Sequence, residues 1–160
     1  YTSLAQTLAL FGHPNSKEIL EKAKAKLTNS DKQERFEFME AALSNNPETR
    51  TVYFESFKSL VNREKESWVQ TAAAFMHHPT KQKEGIKTLE LSLELLEEIQ
   101  RTGDIFFPKR WLDATVGQYT SKKAYELVIN YLNANPNLSP DLKNKLLQAS
   151  EKLYKRHGSN

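Results

Sequence analysis

The chain has 160 residues and carries 23 Lys or Arg against 20 Asp or Glu, a formal net charge of +3. That excess is too small to indicate a nucleic-acid-binding protein, and the absence of cysteine excludes disulfides and thiolate metal sites. No apolar run approaches the ~20 residues that a membrane-spanning helix needs. By length and composition the chain is one folded domain over residues 1–160.

A short motif recurs four times along the chain. A helical run ends, two spacer residues follow, and His or Asn then stands directly before proline. The prolines of the four copies are Pro14, Pro47, Pro79 and Pro136, so the first two intervals are 33 and 32 residues. A helical repeat of about 30 residues is typical of stacked helix pairs that bury their apolar faces against neighbouring pairs. We therefore predict an all-α superhelix of antiparallel helix pairs, of the HEAT or armadillo kind.

Proline and capping residues divide the chain into about nine predicted helices. The first covers residues 2–11, and Ser30 with Gln33 forms a capping-box pattern at the start of the third. Pro47 opens the fourth, because proline suits a first helical turn. We expect the fourth helix to carry the apolar residues Val52, Phe57, Leu60 and Val61.

The predicted helix from about Gln82 to Arg101 is apolar over more than half of its circumference. Leu93 and Leu95 point to opposite sides, so we expect both to be buried between two neighbours. The narrow polar sector collects the acids Glu90, Glu94, Glu97 and Glu98. A general base or an amine-binding site is one interpretation of this stripe, and a solvated helix face is the more common one.

The last predicted helix begins at Ser139-Pro140-Asp141, which combines an N-cap, a first-turn proline and an acid favoured by the helix dipole. It carries one apolar stripe, formed by Leu142, Leu146, Ala149 and Leu153. The lysines near the C-terminus could approach phosphate, but no nucleic-acid motif accompanies them, and solvated lysines remain the default.

The four histidines do not form a recognisable metal site. His77 and His78 are adjacent, and adjacent helical positions point about 100° apart. His13 and His78 occupy the pre-proline position that Asn fills in the other copies, which favours a helix-stop role through left-handed backbone conformations. His157 lies at a C-terminus that we expect to fray. We predict that the chain neither binds zinc tightly nor hydrolyses an amino-acid amide, with no catalytic or metal residue of its own.

The segment Ile105–Trp111 concentrates three large aromatic residues at a loop-to-helix junction. It is either a buried corner between repeats or a surface on which another domain docks, because aromatic and arginine residues dominate interface anchors. The polar candidates for such a surface are Asp104, Lys109 and Arg110.

The stretch SLELLEEIQRTGDIFFPKRWLDA, from Ser92 to Ala114, resembles the C-terminal helical domain of zinc aminopeptidases related to aminopeptidase N. The segments Tyr131–Pro136 and Leu146–Tyr154 resemble closing helices of the same family. The resemblance is close over residues 64–154 and extends only to the general pattern before that.

The resemblance implies a domain that covers a separate catalytic domain, encloses the chamber for the peptide substrate and moves during opening and closing. The family's zinc lies in that catalytic domain, on an HExxH motif that this chain lacks. We thus expect no cofactor in this chain, zinc in the parent catalytic domain, and that domain as the partner.

The alternatives are a free-standing helical-repeat module that binds a protein partner and, more remotely, an enzyme of new type. The chain begins with Tyr1 rather than Met, which we interpret as processing or as excision from the C-terminal part of a longer chain.

Overall fold

The structure is a computed structural model that describes residues 2–158, and every regular element in that range is helical. The all-α prediction is confirmed, but the described residues form eleven α-helices rather than about nine. They are α1 (Thr2–Leu10), α2 (Ser16–Ala25), α3 (Ser30–Glu40), α4 (Pro47–Glu55), α5 (Glu66–Met76), α6 (Gln82–Glu94), α7 (Leu96–Thr102), α8 (Phe107–Ala114), α9 (Lys122–Ala134), α10 (Pro140–Ala149) and α11 (Glu151–His157).

The two additional helices arise because two predicted helices are broken. The predicted helix 82–101 divides at Leu95 into α6 and α7, where the carbonyl of Ser92 accepts a hydrogen bond from the indole N–H of Trp111 at 2.8 Å. The predicted last helix divides at Ser150, whose buried hydroxyl donates to the carbonyl of Leu146. Both breaks follow a known cause of helix bending, a side chain that enters the backbone hydrogen-bond ladder.

The helices pack in two rows. The first row is formed by the successive contacts of α3 with α5, α5 with α8 and α8 with α10. The second row runs from α4 to α6, α9 and α11 in the same way, while α1 packs on α2 at the N-terminal side. Because α6 lies between α4 and α9, both Leu93 and Leu95 are buried, as predicted.

An aromatic cluster occupies the centre of the two rows. The Trp111 ring is fully buried. Its centroid lies 5.5 Å from the ring centroid of Phe54, 6.3 Å from that of Phe57 and 6.2 Å from that of Phe107. The α1–α2 pair buries no aromatic ring, and its buried apolar residues are Ala5, Ala9 and Ala23 with Leu10 and Leu20. The middle of the chain therefore buries larger apolar side chains than its start.

The predicted fourth helix is shorter than expected. It ends at Glu55, and two 3₁₀ turns follow, Ser56–Lys58 and Leu60–Arg63. Only Val52 of the four apolar residues lies in α4, so the prediction that this helix also carries Phe57, Leu60 and Val61 is wrong. Phe57 is buried, whereas Val52, Leu60 and Val61 are at least half exposed.

Two predictions about helix ends are also wrong in detail. Asn29 rather than Ser30 caps α3, and the Gln33 amide donates to the carbonyl of Leu27 instead of completing a capping box. The pre-proline residues do not adopt left-handed conformations, because Gly12 is the only residue with positive φ in the described range.

In three of the four copies the pre-proline side chain acts instead as an acceptor at the start of the next element, whereas Asn135 donates from Nδ2 to the carbonyl of Tyr131 at 2.8 Å. The Nδ1 atom of His13 accepts from the N–H of Asn15 at 3.1 Å, the Oδ1 atom of Asn46 from that of Glu48 at 2.9 Å, and the Nδ1 atom of His78 from that of Thr80 at 3.2 Å. These three proline corners also contact one another: Asn45 donates to Ser16, and Thr80 donates to the carbonyl of Leu10. They form one edge of the domain.

Candidate interdomain surface

The connection between α7 and α8 divides the aromatic segment into exposed and buried residues. Ile105 is 74% exposed and Phe106 is 61% exposed, whereas Phe107 and Trp111 point into the aromatic cluster. The buried-corner interpretation is confirmed for Phe107 and Trp111, whereas docking of another domain on the exposed Ile105 and Phe106 stays a prediction. Ile105 and Phe106 face solvent, and the other two side chains hold the corner on the core.

Backbone hydrogen bonds fix the shape of this corner. The N–H of Asp104 donates to the carboxylate of Glu66 at 3.1 Å, and the Asp104 carboxylate accepts from the N–H of Phe106 at 2.9 Å. Gly103 is required here, because a Cβ atom on it would lie 2.9 Å from the backbone carbonyl oxygen of Ile99, as well as from the Glu66 carboxylate and the Phe107 ring. The corner is thus pinned to the first turn of α5.

The predicted polar residues Lys109 and Arg110 lie on the exposed face of α8. Lys109 pairs with Asp113 at 2.8 Å, but both side chains are at least half exposed, so the pair contributes little to stability. The guanidinium of Arg110 lies 5.7 Å from the centre of the Phe106 ring. Asp104 is engaged by backbone instead, so the three predicted residues share the corner without converging on one point.

A second pair of exposed apolar residues lies on a neighbouring connection. Leu60 and Val61 belong to the 3₁₀ turn that Arg63 closes, and they are 50% and 65% exposed. The buried Arg63 guanidinium donates to the carbonyl of Phe57 and pairs with Glu98 of α7 at 2.6 Å. This turn and the α7–α8 corner are therefore both tied to α7 and the start of α5.

We define the corner surface as the exposed residues of these two connections and of the adjoining turn of α8, namely Leu60, Val61, Ile105, Phe106, Lys109 and Arg110. Four of the seven large apolar side chains that are exposed in residues 2–158 belong to it. Exposed apolar side chains that are gathered on rigid connections and edged by arginine are characteristic of interaction sites.

The residues that hold the corner surface in place could not be found from the sequence. Arg63 and Glu66 are ordinary members of a charged stretch, and nothing in their spacing predicts their partners 35 and 38 positions later. The one signal in the sequence is Gly103, a glycine two residues after the predicted end of a helix.

The glutamate stripe of the predicted central helix has mixed roles. Glu90, Glu94 and Glu97 are exposed, in agreement with a solvated face. Glu98 is the exception, because it neutralises the buried guanidinium of Arg63. Among residues 2–158, no three His, Asp or Glu side chains are close enough together to hold a metal ion.

Each of the four histidines has a hydrogen-bond partner within the chain. The buried His77 ring makes hydrogen bonds to the hydroxyls of Tyr119 and Thr88, and its burial lowers its pKa to about 3. The Nδ1 atoms of His13 and His78 accept backbone N–H groups at the proline corners. His157 donates from Nε2 to the carbonyl of Thr120 at 2.8 Å, so the end of α11 is attached rather than frayed.

The His77 contacts define one arrangement of protons. The Tyr119 hydroxyl donates to Nδ1, Nε2–H donates to the Thr88 hydroxyl, and that hydroxyl donates to the carbonyl of Gly85. Burial raises the pKa of Tyr119, which keeps its hydroxyl protonated as a donor. His77 is therefore a neutral core residue whose polar atoms are satisfied, and it has no lone pair left for a metal.

In the described range no helix has the length and apolar character that crossing a bilayer requires. Comparisons of the chain with protein-family models, with curated proteins and with solved structures find no match.

Proposed function

We propose that this chain is the non-catalytic C-terminal domain of a zinc aminopeptidase, and that its corner surface contacts the catalytic domain of the same parent chain. The proposal begins from the resemblance of residues 92–114 to that family. The corner surface lies within or beside this stretch, and its exposed apolar side chains carry the proposal.

The two rows of helices support a covering role. Rows in which each helix packs on the next are compatible with the superhelix of antiparallel pairs expected for a HEAT-like domain. Such a superhelix presents a curved surface that can enclose a chamber for peptide substrates without chemistry of its own. The catalytic domain would hold the zinc ion, which activates water for hydrolysis.

The corner surface suits an interdomain contact for a physical reason. Ile105 and Phe106 expose apolar area that a partner could remove from water, at about 25 cal/mol for each Å². Their backbone is already held by Glu66 and Gly103, so little conformational entropy is lost on contact. Arg110 adds a cation whose position over Phe106 is preset.

The decisive experiment uses the parent chain. The open reading frame should encode an HExxH domain upstream of Tyr1. In that protein, replacing Ile105 and Phe106 by Ser should change kcat/KM for a peptide and enlarge the radius of gyration, because domain closure would lose its apolar contact. The matched control replaces Leu4 and Phe11, which are also exposed, by Ser.

A milder version tests the polar residues of the corner surface. Lys109→Ala with Arg110→Ala should alter activity or closure while leaving the fold intact. Unchanged kinetics and solution dimensions in both corner variants would contradict the proposal. A reading frame that starts with Met just before Tyr1 would instead favour a free-standing module that uses the same surface for another protein.

A further inference from the structure

The second row of helices is interrupted on its N-terminal side. Helices α4, α6, α9 and α11 each pack on the next, and α2 would be the preceding member of that row. All residues of α2 and α4 are described, and the two helices pack less extensively on each other than the other row neighbours do. A groove of about 660 Å³ lies between them, and its lining also includes the end of α3 and the α3–α4 connection.

The groove has an apolar floor and two chemically different ends. Leu20, Ala41 and Leu43 contribute apolar surface to its lining. Serine, asparagine and threonine side chains line the end near the proline corners, namely Ser16, Ser44, Asn45, Asn46 and Thr49. The other end carries the acids Glu21, Glu37 and Glu40 together with one base, Lys17.

The end near the proline corners has unused hydrogen-bonding capacity. Asn46 accepts from Glu48 through Oδ1, which leaves its amide N–H₂ group without a partner in the described chain. Asn45 donates through Nδ2 to Ser16, and its Oδ1 atom accepts nothing from residues 2–158. Side-chain amides with free donors and acceptors are suited to pair with the backbone of an extended peptide.

The acidic end has an excess of negative charge. Glu37 and Glu40 share a single cation, the ammonium of Lys24, at 3.2 Å each. No ion pair joins Glu21 to any residue of the described range. Lys17 also lines the groove, so three carboxylates and two ammonium groups, those of Lys17 and Lys24, give this end a net charge of −1, which attracts a cationic group.

We propose that the α2–α4 groove binds an extended peptide segment with adjacent apolar and basic residues. The apolar side chain packs on Ala41 and the edge of Leu20. The Lys or Arg side chain lies against Glu21, Glu37 and Glu40, and the peptide backbone pairs with Asn45 and Asn46. The volume is within the ~300–1,000 Å³ that is usual for ligand sites. The groove lies before residue 64, outside the stretch that closely resembles aminopeptidases, so its test is separate from that of the proposed function.

The test is a titration of the ¹⁵N-labelled 160-residue chain, followed by amide chemical shifts. The probe is the peptide acetyl-Gly-Gly-Leu-Lys-Gly-Gly-amide. Two matched peptides replace its Lys by Glu or its Leu by Gly. We expect shifts confined to residues 16–21 and 37–49, with each matched peptide binding at least about threefold more weakly than the probe, the change expected from losing one exposed charge pair or a small apolar contact.

Two variants test whether the acidic end and the apolar floor of the groove contribute to peptide binding. Glu21→Lys should weaken binding about threefold, while Glu126→Lys, an equal charge change on the exposed face of α9, should leave binding unchanged. Ala41→Trp should fill the groove and abolish the shifts. Circular dichroism tests whether the Ala41→Trp variant is folded. If it is unfolded, the effect of Glu21→Lys on peptide binding is the deciding result.

Three results would overturn the proposal. One is equal binding of the Lys and Glu peptides, and another is a set of shifts that lies outside the groove, for example on the corner surface. The third is an absence of shifts up to about 5 mM peptide, which corresponds to a binding free energy weaker than about −3 kcal/mol. Shifts that depend on protein concentration without peptide would assign the groove to a second copy of the chain instead.

Discussion

The α1–α2 pair and the aromatic cluster around Trp111 bury their side chains in different ways. The pair buries Ala5, Ala9 and Ala23 with Leu10 and Leu20 but no aromatic ring, so it removes less apolar area from water. The cluster stacks Phe54 on Trp111 and adds further rings around them. Since stabilisation increases with buried apolar area, the difference indicates that the middle of the chain supports its N-terminal end.

The largest effect should come from the aromatic cluster. Trp111→Ala removes a fully buried ring and leaves the carbonyl of Ser92 without its indole donor, so we expect the free energy of unfolding to fall by about 3–5 kcal/mol. Urea denaturation followed by circular dichroism measures the loss. A loss below about 1 kcal/mol would show that the cluster is not the main source of stability.

The next largest effect should come from α6 and its break. Leu93→Ala and Leu95→Ala should each lower the free energy of unfolding by about 2–5 kcal/mol, because both leucines are buried between helices. Leu4→Ala, at a position that is 61% exposed, is the matched control and should be nearly neutral. Near-neutral results at both buried positions would mean that the α6–α7 region is not central.

His77 makes the aromatic cluster sensitive to acid. Its pKa is about 3 in the folded chain against an ordinary value of 6.5, so below pH 6.5 the unfolded state binds a proton that the folded state does not. The folded state is therefore progressively destabilised as pH falls from 6.5 towards 3, by at most about 1.4 kcal/mol per pH unit from this group.

Comparing the wild type with His77→Phe isolates the contribution of His77 to the pH dependence of the free energy of unfolding. Between pH 6.5 and pH 5 the wild type should lose about 1–2 kcal/mol more than the variant. An equal loss in both proteins would show that His77 is protonated in the folded state. In the wild type, the NMR signals of the His77 ring should remain those of the neutral form in the same pH interval.

The smallest effect belongs to the α1–α2 pair. Ala23→Gly should cost about 1 kcal/mol, chiefly through the backbone entropy of a helical glycine. Hydrogen exchange should be faster for the amides of α2 than for those of α6, since the first helix pair buries no aromatic ring. Equal protection of α2 and α6 would remove the proposed contrast between the two regions.

The sequence predicted the helical class and many of the helix ends, since proline, Ser139 and Asn46 act locally. It could not predict the breaks at Leu95 and Ser150, because each depends on hydrogen bonds that form only in the folded helix or across to Trp111. The pattern Val52, Leu60 and Val61 was misleading for a similar reason. A buried Arg63 satisfies the carbonyl of Phe57 and permits 3₁₀ turns where periodicity indicated a helix.

The candidate site was predicted in part. Aromatic density directed attention to residues 105–111, yet which rings are buried depends on the path of the backbone through Gly103 and Asp104. The α2–α4 groove could not be predicted at all. It arises because α2 and α4 pack less extensively than the other neighbours of their row, and a sequence repeat does not show where packing is weaker.

The proline corners indicate which residue types can replace one another directly before the proline. Asn and His are unlike in size and chemistry, but Oδ1 of Asn46 and Nδ1 of His13 and His78 are the same number of bonds from their Cα atoms, and each accepts the N–H two residues later. Asp offers an acceptor at that distance, whereas Gln and Glu place theirs one bond further out. A search for diverged copies of this repeat in other sequences should therefore look for Asn, His or Asp directly before proline. The lengths of the helices between the corners need not match, because they differ within this chain.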